Sequence, residues 1–284
     1  MSDSIPLPWL EVTRGDAPLV VSLPHTGTEI PAGCERGLVS LWLARKDADW
    51  WIDRLYDFAG DLGATIIRTA ISRTVIDVNR DPSGISLYPG QATTELCPTT
   101  TFDGEPLYLS GAEPDAASVA ERRTRFFEPY HAALQNEVDR LRASHPRVVV
   151  YDCHSIRSAI PRLFDGTLPN FNIGTNGGAT CAAALSDAVE QICAASNFSH
   201  VLNGRFKGGF ITRTLGRPEN GVHAVQMELA CRGYMMERAG PVAEGRWPTA
   251  YDDAYAAPMR AVLTRILEEC LNFAQPGFRG RTTS

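Results

Sequence analysis

Long apolar runs are missing from this chain of 284 residues. No stretch of about 18 apolar residues occurs, so no segment reads as a membrane-spanning helix. Positive charge is also short: 27 Lys and Arg against 33 Asp and Glu give a formal net charge of −6. Without a Lys/Arg cluster, the chain lacks the concentrated charge that phosphate backbones or anionic membrane surfaces require. Nucleic acid and membrane are therefore not expected as partners. Cysteine is present seven times but never as CxxC. An odd set of thiols in apolar surroundings reads as reduced and cytoplasmic rather than as a disulfide framework. The start, MSDSIPLPWLEVTRGDAP, lacks the basic and apolar regions of a secretory signal. The tail GFRGRTTS reads as frayed.

Several catalytic signatures are missing too. There is no GxSxG, no Walker A, no GxGxxG and no HExxH. These absences argue against a nucleophile-elbow serine hydrolase, a P-loop enzyme, a dinucleotide-binding protein and an HExxH metallopeptidase. Cys153 and His154 are neighbours on a strand-like run, so they face opposite ways and do not form a Cys/His pair.

What remains is a globular pattern, 44% hydrophobic and 21% charged. Pro18 to Leu23 reads as a buried strand, Asp47 to Asp61 as a helix, and Ala64 to Thr69 and Thr74 to Val78 as strands. From Asn79 to Pro114 the pattern dissolves into a loop, long enough to suggest function. Ala116 to Ala143 reads as a long charged helix, Arg147 to Tyr151 as the clearest buried strand, and Asn172 to Thr175 as a short one. Gly178 to Ala195 reads as a helix, Val222 to Leu229 as a strand and Tyr251 to Phe273 as a closing helix. The alternation predicts an α/β fold with a mixed, mainly parallel sheet covered on both faces, in one domain spanning 1–284. No feature sets an oligomeric state.

In open α/β sheets, sites lie beyond the carboxyl ends of strands. Polar residues stand there: His25 in PHTGTE, Asn79-Arg80, Asp152 with His154, and Glu228 in VQMEL. Two strand-end histidines suggest a divalent metal site completed by an acid, with zinc suited to imidazole and carboxylate donors. Glu29 and Asp49 are equal candidates on residue chemistry, since an Asp beside a helix start is also favoured by the helix dipole. Asp152, two residues from His154, shares its face and can orient its ring or simply cap a turn. Asn79 and Arg80 offer an amide and a planar fork for a carboxylate, and Arg73, Arg157 and Arg213 add charge suited to a dianionic small molecule. Glu228, at the end of an apolar run, needs a partner or a task, and general acid–base work is one. His223 lies in the same segment and is a further candidate for hydrogen bonding to substrate.

Six motifs in order, PHTGTEIP, DADWWIDRLYDFA, SRTVIDVNRDPSG, YDCHSIRS, FKGGFITR and HAVQMELACRGYM, resemble the N-formylglutamate amidohydrolase family across about residues 18 to 240. The resemblance implies a three-layer α/β/α fold like that of the zinc carboxypeptidases and aspartoacylases. It also implies zinc, or another divalent ion, on His25, Asp49 and His154, and it favours Asp49 over Glu29. The HxxE of the wider superfamily is stretched here by one residue in HTGTE. Asn79-Arg80 resembles the Asn-Arg pair that holds substrate carboxylate, and Glu228 the catalytic glutamate. The implied reaction is hydrolysis of N-formyl-L-glutamate to formate and L-glutamate, as in histidine degradation. The alternatives are another N-acyl amino acid or peptide amide, and a non-catalytic dicarboxylate-binding protein.

Overall fold

A computed structural model of the chain describes residues 7–87, 90 and 92–277. Residues 1–6 of the start and 278–284 of the tail lie outside the described residues.

Among the described residues, seven strands form one sheet: β1 (Leu10–Thr13), β2 (Leu19–Leu23), β3 (Thr65–Thr69), β4 (Val148–Ile156), β5 (Phe171–Gly174), β6 (His200–Leu202) and β7 (Val222–Ala230). Their spatial order is β1-β3-β2-β4-β7-β5-β6. Four of the six pairings are parallel, which makes the sheet mixed but mainly parallel, as the alternating pattern predicts. The helices are α1 (Ile52–Leu55), α2 (Ala116–Arg122), α3 (Glu128–Arg142), α4 (Ala183–Ala194), α5 (Phe210–Leu215) and α6 (Asp253–Ala274). None of the described helices is long and apolar enough to cross a membrane.

Strands β2, β4, β5 and β7 are buried on both faces. Along β4, Val149, Tyr151 and Cys153 join α1, α4 and α6 in one apolar layer, while Val148 and Val150 join α3 and α5 in the other. The period of two therefore places Asp152 and His154 on the Val150 face. By the same count Gln226 and Glu228 continue the Val222 and Ala224 face of β7. Register sets Ser22, Asp152 and Gln226 abreast, and His154 beside Glu228.

Three sequence expectations change. The segment from Asp47 to Asp61 is mostly turns, with α1 only four residues long, because Trp51 takes a left-handed conformation (φ 64°) just before it. Residues 74–78 form a turn, not a strand. Side chains supply its hydrogen bonds: Ser72 Oγ accepts from the Thr74 N–H, and Asp77 Oδ1 from the Asn79 N–H. The apolar Val75, Ile76 and Val78 are buried all the same, by packing on α3 and α5. The helix expected from Gly178 begins only at Ala183. The long helix from Ala116 is continuous but carries a π-turn at Arg123–Phe127, just before Pro129, whose missing N–H and ring disrupt regular helix bonding.

Candidate active site and metal centre

β4 carries His154 inward, and His25 lies two residues beyond β2, the strand beside it. The turn before α1 brings Asp49 between them, and its N–H donates to the His25 carbonyl oxygen (2.9 Å). Three atoms converge: His25 Nδ1 and His154 Nδ1 are 3.1 Å apart, and Asp49 Oδ2 lies 3.3 Å from His154 Nδ1 and 3.7 Å from His25 Nδ1. All three residues are buried.

The opposite ring nitrogens face carboxylates. His25 Nε2 is 2.7 Å from Asp77 Oδ1, and His154 Nε2 is 2.9 Å from Asp152 Oδ2. A carboxylate only accepts, so each neutral ring carries its proton on Nε2 and turns the Nδ1 lone pair inward. Two imidazole lone pairs and a carboxylate oxygen, spaced as corners of a tetrahedron with bonds of about 2.0–2.2 Å, are a donor set that a divalent metal fits. Burial alone would lower His154, but the Asp152 and Asp49 carboxylates raise it well above the usual imidazole range. Burial alone would raise Asp49, but hydrogen bonds from His154 and His25 hold it below the usual carboxylate range.

A buried polar chain backs this centre. Asp152 Oδ1 accepts from Ser22 Oγ (2.8 Å), whose oxygen lies 3.0 Å from Tyr130 OH. Asp77 accepts from Arg73 (2.7 Å), and Arg73 also lies 3.5 Å from Asp49 Oδ1 under the Phe102 ring. Facing His25 and Arg73, Asp77 stays well below its usual value although burial pushes the other way.

A cleft opens over the centre, lined in its depths by His25, Arg73, Asn79, His154, Gln226 and Glu228. Glu228 is 7% exposed. Burial pushes its carboxyl up to about 8, opposed by His154 and assisted by Asp49. Gln226 Nε2 donates to Glu228 Oε2 (3.4 Å), and Gln226 Oε1 accepts from the Gly209 N–H. The strand runs two residues past Glu228, so this acid lies within β7 rather than at its end.

Other candidates stand differently. Glu29 is exposed in the extra residue's worth of HTGTE, its backbone bridging to Ile71, and stays outside the convergence. Asn79 lines the cleft, but both ends of its amide are engaged: Oδ1 accepts from the Ile211 N–H (2.8 Å) and Nδ2 donates to Asp152 Oδ2 (3.3 Å). Arg80 lines the cleft too, donating to Thr94 Oγ1 (3.0 Å). Arg157 does not line it: its guanidinium is drawn to Asp103 and Asp47. Arg213 lies on α5 with Nε donating to the Gly208 carbonyl oxygen, also outside the lining. His223 is at the far end of β7, where it accepts from the Ala182 N–H and packs on Phe273, because five residues along the strand separate it from Glu228. Cys153 faces the opposite apolar layer, and burial raises its thiol.

Asp77, Phe102, Arg205 and Gln226 are site residues that sequence reasoning missed. Asp77 in VIDVN and Gln226 in VQMEL each interrupt an apolar run, the signal that marks a buried polar group in need of a partner. Phe102 and Arg205 sit in irregular segments with no periodicity to mark them.

The family model of N-formylglutamate amidohydrolase matches residues 17–235. An N-formylglutamate deformylase of Pseudomonas aeruginosa is 47% identical over 263 residues, 92% of this chain and 96% of the relative. One of Pseudomonas putida is 45% identical over 267 residues, 92% and 95% of the two chains. The crystal structure of N-formylglutamate amidohydrolase from Ralstonia eutropha, 23% identical, covers 96% of this chain and 100% of its own with a TM-score of 0.78, a match of fold. With the family model matched over residues 17–235 and both relatives overlapping it almost end to end, this chain belongs to the N-formylglutamate amidohydrolase family.

Proposed function

We propose that this protein hydrolyses N-formyl-L-glutamate to formate and L-glutamate with zinc as its resident cation. The observation that carries the reading is the convergence of three inward lone pairs, on His25, His154 and Asp49, beside buried Glu228 in an arginine-bearing cleft. A divalent cation held there would polarise the formyl oxygen, acidify water beside it and favour the ionised form of Glu228.

The chain's own groups do the rest. Ionised Glu228 accepts the proton of the attacking water and passes it to the nitrogen of the leaving glutamate. Gln226 holds the Glu228 carboxylate in place. Asp77 and Asp152 fix both rings, and Asn79 steadies Asp152 from the other side. Arg73 braces Asp77 and Asp49 and brings positive charge to the floor. Arg80 provides a planar donor for the α-carboxylate one carbon from the scissile nitrogen. The seven free thiols suit a reducing, cytoplasmic setting.

The test is formate release from N-formyl-L-glutamate before chelation, after it, and with zinc restored. Release that stops and returns is expected. Folded, zinc-loaded protein that releases none overturns the substrate, and a rate indifferent to chelation overturns the cation.

A further inference from the structure

The cleft has an order of depth. His25 and Glu228 on its floor are 3% and 7% exposed. Arg80 is half-buried above them, its Nε 3.5 Å from Asp77 Oδ2. At the rim, Arg205 is also half-buried and ties two separate segments together. Its Nε donates to the Leu163 carbonyl oxygen (3.1 Å) and its Nη2 to that of exposed Ala92 (2.8 Å). Leu163 and Phe206 add apolar surface to the same lining.

N-formyl-L-glutamate has the same order along its length. The formyl amide comes first, then the α-carboxylate, then two methylenes, then a second carboxylate. With the amide on the floor and the α-carboxylate on Arg80, the methylenes would meet Leu163 and Phe206 and the distal carboxylate would emerge at Arg205. Arg157 and Arg213 are outside the lining, and Arg73, which is within it, is paired with Asp77 and Asp49 on the floor. We propose that Arg205 is the specificity-determining residue that receives the distal carboxylate of a diacid substrate at the cleft rim, an inference that rests on the formyl-amide reading above. A guanidinium already held by two carbonyl oxygens is oriented before substrate arrives, so little of its ordering is left to binding.

The test compares N-formyl-L-glutamate with N-formyl-L-glutamine, which has the same shape without the distal charge, on wild type, Arg205→Met and Arg205→Lys. Arg205→Met should lower kcat/KM for the diacid roughly 10- to 100-fold, mostly through KM, and change it by no more than about twofold for the amide. Arg205→Lys should restore part of the preference. If Arg205 only tethers Ala92 and Leu163, both substrates lose equally, and that result overturns the proposal, as does no loss at all. Binding of L-glutamate and L-glutamine, measured by calorimetry, needs no turnover. Tighter binding of L-glutamate that vanishes in Arg205→Met supports Arg205 even if wild type releases no formate. Equal binding of the two, or an unchanged variant, overturns it while leaving formate release by wild type to decide the proposed function separately.

Discussion

Replacing Glu228 by Gln keeps its shape and removes its ability to take a proton. Formate release should fall by about 10²- to 10⁴-fold while thermal stability holds or rises, since a buried acid is neutralised. Wild-type activity should be lost as pH falls, because only the ionised form accepts a proton. The carboxyl by itself is pushed up to about 8, and a cation held by His25, Asp49 and His154 would draw the limb toward lower pH. A pH–kcat/KM profile with no acid limb contradicts the role of Glu228. A second residue tests space rather than charge. A Cβ on Gly209 would stand 2.3 Å from Asn79 Nδ2, and Asn79 is wedged by its bond from Ile211 N–H. Gly209→Ala should push Asn79 off Asp152, costing about 1–3 kcal/mol of stability and most of the activity. A crystal structure of the variant with Asn79 unmoved contradicts this. Both residues were within reach of sequence reasoning, Glu228 as an acid in an apolar run and Gly209 as a glycine beside functional motifs. Their contacts were not, because Asn79 and Gly209 meet only through folding.

At the scale of elements, α3 reaches the site through His131. Its Nε2 donates to the Val78 carbonyl oxygen (2.7 Å), next to Asn79, and its ring packs on Phe127 and Phe210. Burial lowers its pKa to about 4, against an unfolded value near 6.5. The unfolded chain therefore binds the extra proton first, so stability should fall as pH drops from about 6.5 toward 4. In His131→Gln this part of the decline should flatten, as urea midpoints at several pH values would record. The segment from Thr99 to Leu107 is a second such element. Its Phe102 N–H donates to Asp47 Oδ2 (2.6 Å), while Arg157 and Lys46 both reach Asp103. Arg157→Met should cost of order 1–3 kcal/mol, less than a fully buried pair because Asp103 is 31% exposed. It should speed amide exchange in this segment and slow diacid and amide substrates alike, unlike Arg205→Met. The helix expected at Asp47 to Asp61 is absent over most of its length for a reason of this scale: side chains of the segment are held by partners far along the chain, as Trp51 is by the Thr249 carbonyl oxygen and Asp47 by Arg157.

For the whole molecule, the candidate cation site joins the loop after β2, the turn before α1 and β4, which stand far apart in sequence. Zinc that binds the folded chain alone should stabilise it by about 4 kcal/mol at a thousandfold excess over Kd, and Asp49→Asn should lose most of that gain in a thermal melt. An unchanged melting temperature on adding zinc to chelated wild type counts against the site. The sequence by itself determined the layered α/β architecture, because the buried runs at β2, β4 and β7 and the long amphipathic helices are local patterns. It also marked His25, His154, Asp49 and Glu228 as candidates, because each departs from its surroundings in a way that one residue and its neighbours reveal. Tertiary structure alone set Asp49, and not Glu29, within reach of both histidines, turned residues 74–78 from strand to turn, sent His223, Arg157 and Arg213 away from the cleft and brought Arg205 to it. Those outcomes depend on which distant side chains meet across the sheet edge, and register and loop path are set by the packing of the entire chain, not by any stretch of it.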